Sequence, residues 1–150
     1  LQGRYGGMLG HPGGGCFGRP DDMLRLLHLH LNGGVWQGKR MIEKDVFDEM
    51  HRVQYADQIA AARRAGKAPA HEYWALGWLT RGSTETGWFG FGNVVSERAF
   101  GHAGINTVIG IADPATDLAM VFLTTDSPAT DAETVRLRNT VTNLVASSLQ

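Results

Sequence analysis

Two uncharged, apolar runs in the second half of the chain, residues 105–112 and 118–125, do not alternate apolar with polar positions. A strand with one solvated face does alternate, so these runs predict two strands that are buried on both faces. The segment between them reads Asp-Pro-Ala-Thr-Asp (residues 113–117), in which proline fixes φ and the aspartates can bond their own backbone. The pattern therefore predicts a central β-hairpin around which the rest of the chain is organised.

Apolar residues at helical spacing predict three helices. The first begins at Pro20, in front of two aspartates that complement the positive helix start, and it ends at the glycine pair after Asn32. The second covers roughly residues 43–54, and the third follows a capping box that opens at Thr130 and runs to about residue 149. The predicted apolar faces are Met23, Leu24, Leu27 and Leu31; Val46, Met50 and Val53; and Leu137, Val141, Leu144 and Val145.

The remaining segments complete the predicted order of elements. Residues 55–72 read as a short exposed helix and a loop, and the aromatic-rich residues 73–80 read as a strand. Residues 81–99 carry four glycines and predict a long loop or a weak hairpin. The order predicts an α+β fold, an antiparallel sheet with helices on both faces, in one domain over residues 1–150. Three doubly buried strands need more cover than these helices give, so the pattern also looks like part of a larger sheet domain.

Composition narrows the class of protein. The chain has 150 residues, 43% of them hydrophobic, and a formal net charge of −1. A globular domain is expected, and the charge gives no footprint for nucleic acid or an anionic membrane. We find no membrane-spanning run and no signal peptide, and the single Cys16 leaves the compartment unknown. Because Leu1 is not a methionine, we expect a processed, truncated or partial product.

Two glycine-rich stretches resemble phosphate-binding motifs without their context. Residues 33–40 nearly fit G-x-x-x-x-G-K-[ST], but Arg40 replaces the hydroxyl that binds magnesium, and the stretch follows a predicted helix instead of a strand. A glycine-capped helix followed by a turn is the better interpretation. Residues 13–18 match G-x-G-x-x-G, yet no strand precedes them. We therefore expect no nucleotide cofactor.

The six histidines do not form a metal-binding pattern. His28 and His30 lie two apart on a predicted helix and point in different directions, so they cannot share a metal. His11, His51 and His71 are isolated, and surface or capping roles are expected for them. His102 stands between Gly101 and Gly104 at the head of the first hairpin strand, where glycines suggest close approach to the backbone. From spacing alone, a structural role for His102 is more common than a catalytic one.

Four stretches match a known family pattern in their order and spacing along the chain. They are a glycine-rich turn into a helix with an early Asp (residues 13–26), Leu-Asn-Gly-Gly followed by Gly-Lys-Arg-Met-Ile (31–42), Tyr-Trp-Ala-Leu-Gly-Trp (73–78), and Phe-Gly-His-Ala-Gly followed by Asp-Pro and Val-Phe-Leu-Thr (100–124). Together they resemble the serine β-lactamase and penicillin-binding-protein-like superfamily. The most similar branch is the class C-type group of esterases, D-amino-acid peptidases and class C β-lactamases.

The resemblance implies a chemistry and a set of site residues. Members of the superfamily acylate the serine of a Ser-x-x-Lys motif, assisted by the tyrosine of Tyr-x-Asn, and a third motif lies on the strand that edges the site. Here the third motif is His102-Ala103-Gly104. His102 would orient the substrate or the tyrosine as a hydrogen-bond donor, Ala103 and Gly104 would line the substrate, and the backbone N–H of Ile105 would be one oxyanion donor. A histidine in place of the lysine of Lys-Thr-Gly favours an esterase or a peptidase over a β-lactamase.

The chain also departs from the family pattern. It contains neither Ser-x-x-Lys nor Tyr-x-Asn, which the family places upstream of the glycine-rich turn. The resemblance therefore implies the C-terminal part of the β-lactamase/transpeptidase-like fold, with a small ester or amide as substrate. Its partner would be the N-terminal part of the same fold, in a precursor or on another chain. The alternative is a non-catalytic relative that serves as a structural or peptide-binding module. Asn106 and Thr107 stand where many esterases carry more glycine.

Overall fold

The structure is a computed structural model that describes residues 18–67, 73–82, 89–104, 107–125 and 128–149. Within these ranges the chain forms four helices, a two-stranded sheet and a four-stranded sheet. In chain order they are α1 (Pro20–Leu31), β1 (Val35–Trp36), β2 (Lys39–Arg40), α2 (Lys44–His51), α3 (Ala56–Arg64), β3 (Leu79–Thr80), β4 (Phe100–Ala103), β5 (Ile109–Asp113), β6 (Leu118–Phe122) and α4 (Asp131–Ser147).

Four strands form one antiparallel sheet in the order β3-β4-β5-β6. Every residue of β5 is buried, because α4 packs on one face of the sheet and α1 on the other. Ile109 and Ile111 are almost fully inaccessible, and burying each of them contributes about 1.5–3 kcal/mol. The predicted α+β fold, with helices on both faces of an antiparallel sheet, is confirmed.

The two faces of the sheet carry separate apolar clusters. Toward α4, the cluster is centred on Ile109, Ile111, Leu118, Met120 and Ala146. Toward α1, it consists of Leu27, Ala75, Trp78, Phe100 and Ala112. The alternation of side chains along each strand assigns neighbouring residues to opposite clusters, which is why the hairpin sequence shows no apolar–polar alternation.

The central hairpin exists, but its first strand is shorter than predicted. The predicted strand over residues 105–112 begins at Ile109 in the structure, and residues 100–103, which were expected to lead into that strand, form a separate strand, β4. The short connection after β4 is closed by a hydrogen bond from the Gly104 N–H to the Val108 carbonyl, at 3.2 Å. His102 therefore lies within a strand antiparallel to β5, and the prediction that it heads β5 itself is wrong.

The turn between β5 and β6 uses Asp113 as predicted. The Asp113 carboxylate is fully buried and accepts a hydrogen bond from the Ala115 N–H, at 3.0 Å. It also accepts hydrogen bonds from the Ser96 N–H, at 2.8 Å, and from the Ser96 hydroxyl, at 2.6 Å. These bonds replace the water that a buried carboxylate loses, so Asp113 fastens the 89–99 loop to the hairpin.

α1 begins at Pro20 and is capped at its C-terminus by Asn32, and α4 begins after a complete capping box of Thr130 and Glu133, both as predicted. The predicted inner faces are partly wrong. Val46 of α2 and Leu144 of α4 are exposed, Leu144 by 68%. On α4, the buried positions are instead Arg138, Thr142 and Ala146. Hydrophobic spacing misplaced this face because polar side chains of α4 make specific bonds to a glycine-rich loop.

Two further segments differ in detail from the sequence-based expectations. Only Leu79–Thr80 of the predicted strand over residues 73–80 is paired in the sheet, because the chain reverses at Gly77, whose φ is +80°. Residues 33–40 form no phosphate loop. They form the β1–β2 hairpin, whose turn places Gln37 and Gly38 at φ values of 48° and 78°, and this supports the interpretation as a capped helix and turn. Residues 13–17 of the other glycine motif lie outside the described residues.

Candidate active site

His102 is presented at the surface by β4. Its cross-strand neighbour is Gly110 of β5, and strand alternation places its side chain on the face opposite Ala103. His102 is exposed, whereas Ala103 is buried in the cluster under α4. The imidazole is therefore not a core group, and it is available to a neighbouring molecule or segment. Ala103 can offer only backbone groups, because its side chain is covered.

The hydrogen bond of His102 determines which ring nitrogen can act. Nδ1 lies 2.8 Å from the carbonyl oxygen of Ala103. A carbonyl oxygen only accepts hydrogen bonds, so Nδ1 must carry the proton. In the neutral ring, Nε2 then carries a lone pair and accepts. The donor role expected from the sequence would require a protonated ring in this geometry.

Aromatic rings and an apolar cavity surround His102. The rings of Trp74 and Phe89 flank the imidazole at centroid distances of 5.8 and 5.9 Å. A cavity of about 370 Å³ opens beside it, between the sheet, α1 and α2. Its walls are mainly apolar and include Met23, Leu26, Met50, Leu76, Trp78 and Gly110. A polar group at the edge of an apolar concavity is the usual arrangement of a small-molecule site.

Two glycines shape this part of the sheet in different ways. A Cβ at Gly101 would overlap the Gly110 carbonyl oxygen and lie 3.0 Å from the Ile111 Cα, so β4 and β5 can approach only because Gly101 has no side chain. A Cβ at Gly110 would meet side chains at ordinary contact distances, those of Leu27 and Met23 at 3.6 Å and that of Val121 at 3.9 Å. Gly110 therefore leaves the cavity open beside His102, and Gly101 permits the strand pairing that holds His102.

The end of β4 carries the rest of the predicted third motif. Gly104 is exposed, and its carbonyl oxygen accepts a hydrogen bond of 2.6 Å from the Arg138 guanidinium of α4. Ile105, the predicted oxyanion donor, lies outside the described residues. His102, Ala103 and Gly104 thus lie at one strand end, with the cavity on the α1 side and Arg138 on the α4 side.

His30 and His51 form a pair that was not predicted from the sequence. His30 Nδ1 and His51 Nε2 are 2.8 Å apart, and the rings lie among Phe47, Trp78 and Phe100. His30 is only 3% exposed. Burial lowers the pKa of His30, and burial followed by the charge of His30 lowers the pKa of His51 to about 4, against a smaller opposing effect of Asp48. The expectation that His51 is a surface or capping residue is wrong.

Two of the described serines donate their hydroxyl groups to other groups of the chain. Ser96 donates to the buried Asp113, and Ser148 donates to the Val145 carbonyl at 2.7 Å. In the described ranges, no three His, Cys, Asp or Glu side chains converge as metal ligands. No helix among the described residues is long and apolar enough to cross a membrane.

Comparisons with known proteins identify the family and the fold. The Beta-lactamase family model matches residues 1–142. The N-acetylmuramyl-L-alanine amidase of Bacillus subtilis (strain 168) is 32% identical over 129 residues, which are 85% of this chain but 25% of the amidase. The crystal structure of a beta-lactamase from Mycobacterium bovis superposes with a TM-score of 0.59 at 21% identity, over 83% of this chain and 42% of that one.

The chain thus spans a quarter of the length of its curated relative and less than half of the structural one. At 21% identity the structural likeness shows the fold, and the family match covers nearly the whole chain. The sheet, its covering helices and the strand that carries His102 are accordingly those of a known fold. The chain belongs to the Beta-lactamase family.

Proposed function

We propose that this chain is the C-terminal part of a serine hydrolase that cleaves an ester or an amide through an acyl-serine, with the nucleophile outside residues 1–150. Family membership supports a hydrolase, and the amidase name of the Bacillus subtilis relative favours amide substrates among the possibilities. The observation that carries the proposal is the exposed His102 at the end of β4, beside an apolar cavity.

In this proposal, the site is assembled at the end of β4. His102 Nε2 accepts a hydrogen bond from the tyrosine hydroxyl or from the substrate, because Nδ1 is committed to the Ala103 carbonyl. Gly104 lets the substrate lie against the strand. The N–H of Ile105 donates to the oxyanion that develops in the transition state, together with the N–H of the nucleophilic serine.

The part of the protein that carries the nucleophile would need to pack against the cavity beside His102. A nucleophile acts only when it lies about 3 Å from the reacting atom, so the segment that carries it must approach His102 closely. The side chains at this surface are apolar and unusually open for a folded domain. Met23 is 40% exposed, Leu26 49% and Leu76 47%. An apolar surface of this kind is expected to be covered by another part of the protein.

A non-catalytic structural or peptide-binding module is the second candidate function. The absence of Ser-x-x-Lys and Tyr-x-Asn from the sequence favours it. The two candidates differ in what they expect of His102. In the hydrolase, His102 supports turnover, whereas a module without a nucleophile has no turnover for His102 to support.

Substitution of His102 tests the proposal. In the longest natural polypeptide that contains residues 1–150, we expect His102→Ala to lower kcat/KM for an activated short-chain ester or a D-amino-acid anilide by about 10- to 1000-fold. The melting temperature should stay close to that of the parent protein, because the side chain is exposed. His28→Ala, at an exposed histidine of α1, is the matched control and should leave both quantities unchanged. Unchanged kinetics in the folded His102 variant would remove His102 from the site, and an inactive parent protein would favour the module.

A further inference from the structure

The cavity beside His102 has an uncharged interior. Its volume of about 370 Å³ lies within the range of small-molecule sites. None of the described residues that line it is an Asp, Glu, Lys or Arg. Its titratable groups are the imidazoles of His30 and His102, and burial lowers the pKa of His30, which favours the neutral ring. A charged group would be costly to bury here, so the cavity suits an uncharged group.

The side chains around this cavity divide into an exposed rim and a buried base. Met23, Leu26 and Leu76 are exposed and form the rim, whereas Leu27 and Trp78 are buried and form the base. In the proposed function, the part of the protein that carries the nucleophile covers the rim. This cover would convert the open concavity into an enclosed pocket whose base remains available to a ligand.

The base of the cavity contains a buried hydrogen-bond donor without a partner. The indole N–H of Trp78, a residue that is only 9% exposed, makes no hydrogen bond with any described residue. A buried donor without an acceptor is costly, and native structures contain few of them. An apolar side chain that filled the cavity would leave this donor unpaired, whereas a ligand with an acceptor group would satisfy it. The donor therefore indicates a ligand that is mainly apolar and carries one acceptor.

The position of His102 indicates which part of a substrate would occupy the cavity. His102 lines its edge, and the proposed function places the reacting carbonyl group of the substrate beside this imidazole. A substituent of that carbonyl group would therefore reach the cavity. The leaving group departs as a polar alcohol or as an amine that becomes charged, and both suit water better than apolar walls. The acyl group stays attached to the serine between acylation and deacylation, so an apolar pocket favours the acyl side.

We propose that the cavity beside His102 is the acyl-binding pocket of the hydrolase, and that it selects uncharged acyl chains of medium length with a hydrogen-bond acceptor for the Trp78 indole N–H. This inference rests on the proposed function and names the substrate class of the same site. Each methylene that enters the pocket should raise kcat/KM by about three- to fivefold until the pocket is full.

The length of the acyl chain tests the pocket. Nitrophenyl esters from acetate to decanoate share one leaving group, and kcat/KM would be measured for each in the longest natural polypeptide that contains residues 1–150. We expect a maximum at an intermediate length. Met50→Ala removes part of a wall and should move the maximum to longer chains, whereas Gly110→Ala adds a Cβ to the wall and should move it to shorter ones. Met41→Ala, at an exposed methionine outside the cavity, is the matched control and should keep the parental profile.

Trp78→Phe tests the hydrogen bond separately, because it removes the N–H and keeps an aromatic ring. The substrates are the ester with the optimal chain and its analogues in which one methylene at a time is replaced by an ether oxygen. In the parent protein, we expect one oxygen position to be favoured over the others. Trp78→Phe should lower kcat/KM for that analogue about 3- to 10-fold more than for the ester without the oxygen, which is the size of one neutral hydrogen bond.

The outcomes distinguish this inference from the proposed function. Equal kcat/KM at all chain lengths, or folded Met50 and Gly110 variants with the parental profile, would overturn the acyl pocket and leave the hydrolase intact. The donor role of Trp78 would be overturned if the parent protein favours no oxygen position, or if a folded Trp78 variant loses the same factor on every ester. A parent protein that hydrolyses neither these esters nor the corresponding anilides would overturn the proposed function, and the pocket with it.

Discussion

The pair of His30 and His51, whose ring nitrogens lie 2.8 Å apart, is a residue-scale feature that affects stability against acid. A proton bound to either ring would create a charge that is poorly solvated in the folded protein. The folded protein therefore binds a proton at His51 only near pH 4, whereas the unfolded chain binds it near pH 6.5. Between these values the unfolded state holds more protons. Stability is therefore complete above pH 6.5 and is lost as the pH falls toward 4.

This pH dependence can be measured by urea unfolding. We expect the free energy of unfolding to fall steadily between pH 7 and pH 4.5. His51→Phe should flatten this fall, because it removes the group that titrates. The variant should fold, because phenylalanine suits neighbours such as Phe47 and Phe100. His28→Phe, on the exposed side of α1, should keep the parental slope. An unchanged slope in the folded His51 variant would show that other groups cause the acid sensitivity.

At the residue scale, the sequence singled out His102 as a candidate but gave no signal for the packing of His51 or Arg138. His102 was identifiable because glycines flank it and a family motif contains it. His51 and Arg138 are buried by partners that lie 21 and 34 positions away, His30 and the Gly104 carbonyl. No local pattern reports such pairs, and helical spacing identifies apolar faces only. Polar residues that pack through one specific bond therefore escape sequence analysis.

At the element scale, the pairing of β4 with β5 determines where His102 lies. Gly101→Ala should destabilise the protein by about 3 kcal/mol, because the new Cβ would overlap the Gly110 backbone, which cannot move without breaking the ladder. Gly110→Ala in the facing strand is the matched control. Its Cβ would make only ordinary contacts with Leu27 and Met23, so we expect a change below about 1 kcal/mol. Chemical denaturation measures both, and equal effects of the two substitutions would contradict the account of the pairing.

The sequence predicted the elements with strong local signals and missed short strands, including β4, that lack them. The Asp113 turn, the start of α1 at Pro20 and the capping box at Thr130 are all present. β4 was missed because Gly101 lies within it and Gly104 follows it, and glycines are poor strand formers. Its extended conformation comes from pairing with β5 on one side and β3 on the other, and this is tertiary information.

At the scale of the whole molecule, the hairpin that is buried on both faces and the helices that cover it were predictable. The role of the exposed apolar surface beside His102 was not. Leu26 and Leu76 line the cavity beside His102 and are about half exposed. The sequence indicated a larger sheet domain, and the chain spans only 25% of the amidase and 42% of the beta-lactamase that it resembles. The central claim is that residues 1–150 complete an active site whose nucleophile is a serine outside these residues.

Identification of the acylated residue tests that claim most directly. The longest natural polypeptide that contains residues 1–150 would be treated with a fluorophosphonate, and the modified peptide would be located by mass spectrometry. We predict one stoichiometric adduct, on a serine outside these 150 residues that is followed three positions later by lysine, and none on Ser96, whose hydroxyl is committed to Asp113. An adduct on a serine within residues 1–150, or an active protein that takes up no label, would contradict the account.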